Sequence, residues 1–375
     1  NSDTLGSKSV AIGRGTLAAQ NFTTATDSYN VAVGYFAGNA VTTGTFNTFI
    51  GSEAGEANTT GANNTAVGAL ALESTTVGTN NVAVGQASLF ENILGSKSIA
   101  VGRGTLQNQN YTTATDAFNT AVGHEAGNDV TTGVGNTFVG ALAGDGTDDG
   151  NNNTAVGYFA LSANCGNDNT AVGLFALGVC TGTNNTALGK DAAAALTSGG
   201  NNLLLGKDAG RTGSPGGNVT TGSNGIYLGD ENISAAHIQV DWTVASDQRD
   251  KTDFTALDLG LNFVKALAPV TYKWDKRSKY GDKSADDYDL TAQTPDGTHK
   301  EDWLDIGFKA QEVEALEIAA GYKIADKTNL TTSLTSDGKQ MGLQYSKFVP
   351  ILVKAVQELS AKNDALEARI ATLEG

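Results

Sequence analysis

"NTAVGALALESTTVGTN", residues 64–80, is one unit of a repeat that fills most of the first 229 residues of the chain. Its opening pentapeptide returns with small changes, for example as NTFIG (47–51), NVAVG (81–85) and NTALG (185–189). Thirteen such pentapeptides end in a glycine, and these glycines lie 21, 17, 17, 17, 17, 21, 17, 17, 16, 16, 17 and 23 residues apart. A period this short is typical of one coil of a β-solenoid.

Each coil is expected to carry the pentapeptide as a short strand, because alternate residues of a strand face opposite sides. In the unit at 153–157 this places Thr154 and Val156 on one face and Ala155 on the other. The closing glycine suits a tight corner with positive φ. The apolar segment that follows, such as YFAL at 158–161, is expected to form the return side of the coil, with an exposed face that needs a partner. The asparagine that opens most units predicts a ladder of side-chain amides.

Composition divides the chain near residue 245. Of the 47 glycines, 39 precede residue 246, whereas 17 of the 24 Lys and Arg residues follow residue 245. So much glycine excludes a helical fold for the first part, since each glycine costs a helix about 1 kcal/mol. The net charge of −16 without a basic cluster argues against a nucleic-acid partner. No apolar run approaches the roughly 18 residues that span a bilayer, so we expect no membrane insertion.

Few side chains in the repeat are candidates for chemistry. Cys165 and Cys180 are interpreted as two buried free thiols. The run DGTDDG at 145–150 has part of the residue spacing of a calcium-binding loop. Thr147 stands where that loop has Asp or Asn, and Val156 stands where it has Glu. A solvated loop is therefore expected. The three histidines lie far apart in sequence, at His124, His237 and His299. We therefore expect no metal and no cofactor.

The charged remainder of the chain predicts a small α+β domain. Its pieces are a helix in 256–267, a strand in 269–274, a loop or hairpin tip over 275–302 and a strand turning into a helix over 305–316. Near the end, residues spaced alternately four and three apart are apolar except for one asparagine, at Tyr345, Val349, Leu352, Val356, Leu359, Asn363, Leu366, Ile370 and Leu373. This heptad predicts a coiled-coil helix over about 345–373, in which Asn363 fixes the register of a trimer. A helix packed on its own domain is the alternative.

SDQRDK, residues 246–251, joins the two regions. Taken alone, a serine and a lysine at this spacing are weak grounds for a catalytic pair, and a solvated linker is the alternative interpretation. Ser-Lys chemistry needs a lysine that burial keeps neutral, so that it accepts the hydroxyl proton.

Residues 246–373 resemble the intramolecular chaperone auto-processing domain at the C-termini of phage tailspikes and tail fibres. The resemblance is carried, in that family's order, by SDQRDK (246–251), LGLNFVKALAPVTYKW (259–274), GFKAQEV (307–313) and YSKFVPILVKAVQELSAKNDALEARI (345–370). In that family the domain drives three chains to associate and fold, then cleaves itself off immediately before the motif serine. The resemblance implies that Ser246 is the nucleophile, that Lys251 is its base, and that the Ala245–Ser246 bond is cut.

Two further expectations complete this picture. Asp247 and Arg249 also match the family motif, and we hypothesise that they hold the loop without entering the chemistry. The repeats themselves resemble the heads of trimeric autotransporter adhesins, which form β-roll trimers. That second resemblance is one of low sequence complexity across residues 6–229, and it implies a β-solenoid trimer. The 16–17 residues per unit in this chain depart from the shorter coil of that family.

The sequence therefore predicts an all-β repeat solenoid, a trimeric β-roll or β-helix, over residues 1–229. A connector over 230–245 and an α+β chaperone domain over 246–375 follow. The protein is expected to be a virion structural protein, a tail fibre or spike made in the host cytoplasm. Its expected partners are two further copies of itself, other virion tail proteins and a glycan or protein receptor on the host surface. A bacterial adhesin-like trimer, a polysaccharide-degrading spike and a chaperone domain that stays uncleaved are the alternatives.

Overall fold

The computed structural model describes residues 5–239, 242–283, 285 and 287–374. The chain divides into a first unit that ends at Asp230 and a second unit that begins at Glu231. Each unit has its own cluster of buried apolar side chains.

The first unit is a β-solenoid of about twelve turns, as the repeat predicts. Its described residues form seventeen short strands: β1 Gly6–Ser7, β2 Val10–Ile12, β3 Thr26–Asp27, β4 Val31–Val33, β5 Thr48–Ile50, β6 Thr65–Val67, β7 Val82–Val84, β8 Gly95–Ser96, β9 Ile99–Val101, β10 Thr115–Asp116, β11 Thr120–Val122, β12 Thr137–Val139, β13 Thr154–Val156, β14 Thr170–Val172, β15 Thr186–Leu188, β16 Leu203–Leu205 and β17 Ile226–Leu228. Two parallel pairs, β1 with β3 and β8 with β10, belong to the two 21-residue coils. The other thirteen strands form one parallel sheet in chain order.

The central residue of each strand points into the coil. Ala155 is fully buried, whereas Thr154 and Val156 on either side of it face outward, as predicted. Successive coils are in register, so that Ala155 pairs with Phe138 of the coil before it and with Ala171 of the coil after it. The central strand residues are therefore mostly alanines interrupted by Phe49 and Phe138, and buried leucines and valines complete a thin core that successive coils share.

The return side of the coil differs from the expectation. The segment at 158–161 is a turn and not a second extended face, because Phe159 and Leu161 adopt positive φ values of 54° and 51°. Ala160 and Leu161 are fully buried inside the coil. The predicted exposed Phe-Ala-Leu face is therefore wrong, and only the aromatic side of this turn, at Tyr158, is exposed.

The closing glycine is required, as predicted. Gly68 has a φ of 137°, and a Cβ atom on it would lie 2.6 Å from the carbonyl oxygen of Gly85 in the next coil. Any side chain at this corner would force adjacent coils apart.

The asparagine ladder is present, and most of its bonds run between side chain and backbone. The buried Asn64 carboxamide accepts a hydrogen bond from the backbone N–H of Asn81 at 3.0 Å and donates to the carbonyl of Gly78 at 2.8 Å. One side chain thereby fastens two backbone groups that would otherwise be buried without partners. The same two bonds recur at Asn30, Asn47, Asn81, Asn119, Asn136, Asn169, Asn185 and Asn202.

The ladder is altered where the repeat is irregular. Asn153 opens a coil shortened to sixteen residues, and its buried Nδ2 has no hydrogen-bond partner among the described residues. Ser98 replaces asparagine at the start of a 21-residue coil, where Gln109 Nε2 donates to Ser98 Oγ at 3.1 Å. Gln109 Oε1 also accepts from Asn119 Nδ2 at 2.8 Å. Glutamine from the longer loop thus supplies the missing carboxamide.

Both cysteines are buried free thiols, as interpreted from the sequence. Burial raises the pKa of Cys165 to about 11, so its thiol is protonated and unreactive at neutral pH. The hydroxyl of Thr147 lies 3.2 Å from Cys165 Sγ inside the coil. The expectation of a wholly solvated loop at 145–150 is therefore wrong at Thr147, because this residue occupies a core position of the repeat.

The second unit is a small α+β fold. Over its described residues it contains α1 Leu261–Ala266, β18 Val270–Tyr272, β19 Asp305–Gly307, α2 Ala310–Ala319, β20 Thr332–Leu334, β21 Met341–Leu343 and α3 Phe348–Glu374. The pairs β18–β19 and β20–β21 are both antiparallel. The core consists of Leu259, Phe263, Val313, Phe348 and Ile351. The predicted helix, strand and strand-to-helix segments are present, although α1 is shorter than the segment 256–267.

A buried carboxylate attaches the β20–β21 hairpin to α2. Glu317 is fully buried, and its oxygens accept hydrogen bonds from the backbone and hydroxyl groups of Thr331 and Thr332. Desolvation alone would raise the pKa of Glu317, but these hydrogen bonds outweigh it, and the pKa is lowered. A buried charge with this many donors is retained as an ionised anchor.

The C-terminal helix α3 changes character along its length. Pro350 lies in its first turn, where proline is tolerated. Phe348, Ile351 and Ala355 are buried against the unit, whereas Val356 further along is 64% exposed. The heptad residues beyond it are also exposed, at Leu359, Leu366, Ile370 and Leu373. Packing on its own domain therefore accounts only for the first turns of the helix.

The ladder predicts a graded effect of asparagine substitution. Asn64→Ala leaves the Asn81 N–H and the Gly78 carbonyl unpaired, and we expect it to cost about 1–3 kcal/mol for each group that finds no water. Asn153→Ala should cost less, because that Nδ2 already lacks a partner among the described residues. The measurement is the urea midpoint of the folded protein, with the exposed Thr60→Ala as control. Equal midpoints for all three variants would contradict a structural role for the ladder.

Candidate functional site

A short 3-10 helix shapes the motif between the two regions. It spans Gln248–Asp250, and Asp247 caps it by accepting a hydrogen bond from the backbone N–H of Arg249 at 2.9 Å. The turn closes when the backbone N–H of Lys251 donates to the carbonyl of Gln248 at 3.2 Å. This single turn folds the six-residue motif back on itself, so that its first and last side chains meet.

Ser246 and Lys251 are in direct contact. Lys251 Nζ donates to Ser246 Oγ at 2.6 Å and to the backbone carbonyl of Ser246 at 3.2 Å. The turn therefore places an amine beside a primary hydroxyl on the residue that follows Ala245. Serine-lysine chemistry requires a hydroxyl in contact with an amine that can lose its proton. The roles of Ser246 as nucleophile and Lys251 as base stay a prediction.

Asp247 and Arg249 pair with each other and not with the serine or the lysine. Arg249 Nε and Nη2 both donate to the carboxylate of Asp247, the latter at 2.6 Å. The hydrogen bonds from the Arg249 side chain and amide lower the pKa of Asp247, and the carboxylate raises the pKa of the Arg249 guanidinium. Both side chains thus stay charged and hold the turn. The geometry is that of the hypothesised loop-holding pair, and its exclusion from the chemistry stays a prediction.

The whole motif is open to solvent in the single chain. Ala245, Ser246 and Lys251 are exposed, and the Arg249 side chain is 88% exposed. Exposed apolar residues flank the motif, at Trp242, Val244 and Phe254. Within one chain the motif is therefore assembled without the low-dielectric surroundings that a neutral lysine needs.

A long-range contact positions the segment that follows the motif. Glu358 on α3 accepts a hydrogen bond at 2.8 Å from the backbone N–H of Leu261, the first residue of α1. Gly260 allows this approach, because a Cβ atom there would lie 2.5 Å from the Glu358 carboxylate. The carboxylate caps a helix start that has no local side-chain cap. Sequence reasoning missed Glu358, since nothing local marks a cap supplied from 97 residues away.

The predicted site residues fall into two groups. Ala245, Ser246, Asp247, Arg249 and Lys251 come together in the turn. Asn363 lies on α3, where its Nδ2 donates to Glu367 Oε1 of the same helix at 2.8 Å, and its predicted role in trimer register is untested in one chain.

The described part of the chain contains no candidate for a metal site or for a membrane-spanning helix. Among these residues, no group of three or more His, Cys, Asp and Glu side chains is arranged to hold a metal ion. Within the same ranges, no helix has both the length and the apolar character to span a bilayer.

Comparison with known proteins bears on this part of the chain. Residues 246–322 match the family described as chaperone of endosialidase. The match begins at Ser246 and ends just beyond α2. No curated protein and no solved structure shows significant similarity to the chain. Together with the β-solenoid ahead of it, the match fits a phage tailspike or tail fibre with a C-terminal chaperone domain.

Proposed function

We propose that this chain is the precursor of a virion fibre or spike, whose C-terminal unit assembles three copies and then cuts the Ala245–Ser246 bond. The match to the chaperone of endosialidase supports a phage tail-fibre or spike-type trimeric protein. The observation that carries the cleavage is the 2.6 Å contact between Lys251 Nζ and Ser246 Oγ, at the first residue of the matched segment. The solenoid is then the mature part, which we expect to join other tail proteins and to bind a glycan or protein on the host surface.

Exposed apolar surface on both units supports assembly. On the solenoid, the outward residues of the parallel sheet are largely Val, Ile and Leu, and several are exposed, including Ile12, Ile50, Val139, Val156 and Leu188. On the second unit, the exposed heptad of α3 continues past Val356. Continuous apolar stripes of this length are typical of surfaces that associate. A three-fold arrangement of identical chains covers both stripes at once.

The bond changes of the proposed cut are intramolecular. Ser246 Oγ attacks the carbonyl carbon of Ala245, and Lys251 takes the hydroxyl proton and delivers it to the Ser246 nitrogen as the C–N bond breaks. The product is an ester between the Ala245 acyl group and Ser246 Oγ. Water then hydrolyses the ester, leaving a carboxylate on Ala245 and a free amine on Ser246. Because the nucleophile adjoins its own scissile bond, proximity supplies much of the rate.

Solvent exposure of the motif makes the reaction depend on assembly. A lysine side chain in water carries its proton at neutral pH and is no base. Lys251 is exposed in the single chain, so burial by neighbouring copies would have to supply the low dielectric that favours the neutral amine. In this mechanism the trimer forms first and the bond is cut second.

That order suits the solenoid. Its coils carry nearly identical strands, so three chains can associate out of register by a whole coil with little change in contacts. A C-terminal trimer fixes the register at one end before the slow pairing of the coils begins. Removal of the assembling unit then leaves a rod that cannot return to its assembly pathway, which makes it kinetically stable.

Substitution of the nucleophile tests the cleavage. Ser246→Ala is expected to remain one chain near 38.4 kDa on a denaturing gel, whereas the unmodified protein gives two shorter chains. The exposed Ser234→Ala, on the connector, is the matched control and should be cut as the unmodified protein is. An unmodified protein that stays whole after native folding would refute the proposed peptidase activity.

Substitution on the heptad tests the link between assembly and cutting. Val356→Asp places a charge in the predicted trimer seam and should give uncut chains of monomer mass. Gln357→Asp introduces the same charge one residue away, off the seam, and should leave a cut trimer. Light scattering reports the mass and a denaturing gel reports the cut. A monomeric Val356→Asp protein that is cut at the normal rate would show that the reaction needs no partner.

A further inference from the structure

The residues that directly follow the solenoid are held by three lysines of the second unit. Lys276 Nζ donates to the backbone carbonyl of Glu231 at 3.0 Å, and Lys283 forms an ion pair with the Glu231 carboxylate. Lys279 Nζ donates to the side chain of Asn232. We call Lys276, Lys279 and Lys283 the lysine clamp.

The contacts of the clamp are partly shielded from water. The Glu231 side chain is only 12% exposed, and the side chains of Lys276 and Lys283 are 23% and 34% exposed. Lys276 has a second ion pair, with Glu301 at 3.2 Å. Partial burial makes such pairs stronger than those on an open surface, since solvent screens them less.

The loop that carries the lysine clamp makes further contacts with the second unit. Arg277 Nη2 donates to the carbonyl of Lys339 at 2.8 Å, and Lys339 Nζ pairs with Asp289 at 3.1 Å. Tyr280 OH donates to Asp275 at 2.7 Å within the same loop. The loop that carries the lysine clamp is therefore also attached near β21, through contacts that do not involve Glu231.

The rest of the connector has no comparable attachment. Every described residue over 233–239 and 242–245 is exposed to solvent. The described connector therefore meets its own unit at Glu231 and Asn232, 14 and 13 residues before the proposed cut after Ala245.

We propose that the lysine clamp is a binding site for Glu231 and Asn232 and that it keeps the two fragments together after the chain is cut. The inference rests on the proposed cleavage at Ala245–Ser246, which leaves Glu231 and Asn232 on one fragment and all three lysines on the other. Peptide-bond cleavage then does not by itself release the chaperone unit. Release is a separate step, governed by the ion pair between Lys283 and Glu231 and by the hydrogen bonds that Lys276 and Lys279 donate to Glu231 and Asn232.

Ionic strength and charge reversal test the retention. After folding, the two fragments of the unmodified protein should co-elute in size-exclusion chromatography at about 0.1 M salt. They should separate at about 1 M, where the screening length falls from about 10 Å to about 3 Å. Glu231→Lys should separate them at the lower salt, and Glu231→Gln should lower the salt concentration at which they part. Glu312→Gln removes an exposed pair with Lys309 in the same unit and should elute as the unmodified protein does.

The outcomes distinguish this inference from the cleavage on which it rests. Fragments of the unmodified protein that separate at low salt would refute retention, and so would fragments of Glu231→Lys that stay together at every salt concentration. If the denaturing gel shows no cut, the proposed cleavage fails. Retention is then tested on Ser246→Ala protein nicked by added protease in the exposed segment 242–256, with the same salt series and the same expected elution.

Discussion

One hydrogen bond, from a backbone N–H to the asparagine side chain of the preceding coil, determines how this molecule is built. Nine buried asparagines accept that bond from the next coil and also donate to a glycine carbonyl, as Asn64 does between Asn81 and Gly78. Because neighbouring coils present nearly the same groups, the bond stabilises adjacent coils well and distinguishes one register from another poorly. Each folded coil therefore favours the addition of the next coil, but the repeat does not strongly favour the correct register when the first coils form.

The second unit has the features that the solenoid lacks. Its non-repetitive core joins α1, α2 and α3. Its long helix carries an uninterrupted heptad pattern with one asparagine, which we propose sets the register of three chains. The same unit also carries the motif in which Ser246 and Lys251 are in contact but exposed to water. The two side chains are close enough to react, but the solvent around them lacks the low dielectric that favours a neutral amine. Such a pair is suited to act only after another protein surface covers it. We propose that assembly through the exposed apolar surfaces covers it.

Much of the fold could be predicted from the sequence, because a regular spacing of residues reflects a regular backbone geometry. The spacing of the glycines predicted the coil, and alternation placed Ala155 on one face of its strand and Val156 on the other. Which of the two faces points inward came from the structure. The turn at 158–161 was not predicted, since nothing in Tyr-Phe-Ala-Leu announces two residues with positive φ. The hairpin β20–β21 was missed although Asp337-Gly338 is a turn signal. Contacts between distant residues, such as Glu358 with Leu261 or Lys283 with Glu231, leave no local pattern and needed the fold.

The central claim is that the chain severs itself immediately before Ser246. Intact mass and N-terminal sequencing of the protein after native folding measure this most directly. The account predicts two chains, one ending at Ala245 and one whose first residues read Ser-Asp-Gln-Arg-Asp-Lys. A single uncut chain, or a new amino terminus at any other residue, would contradict it.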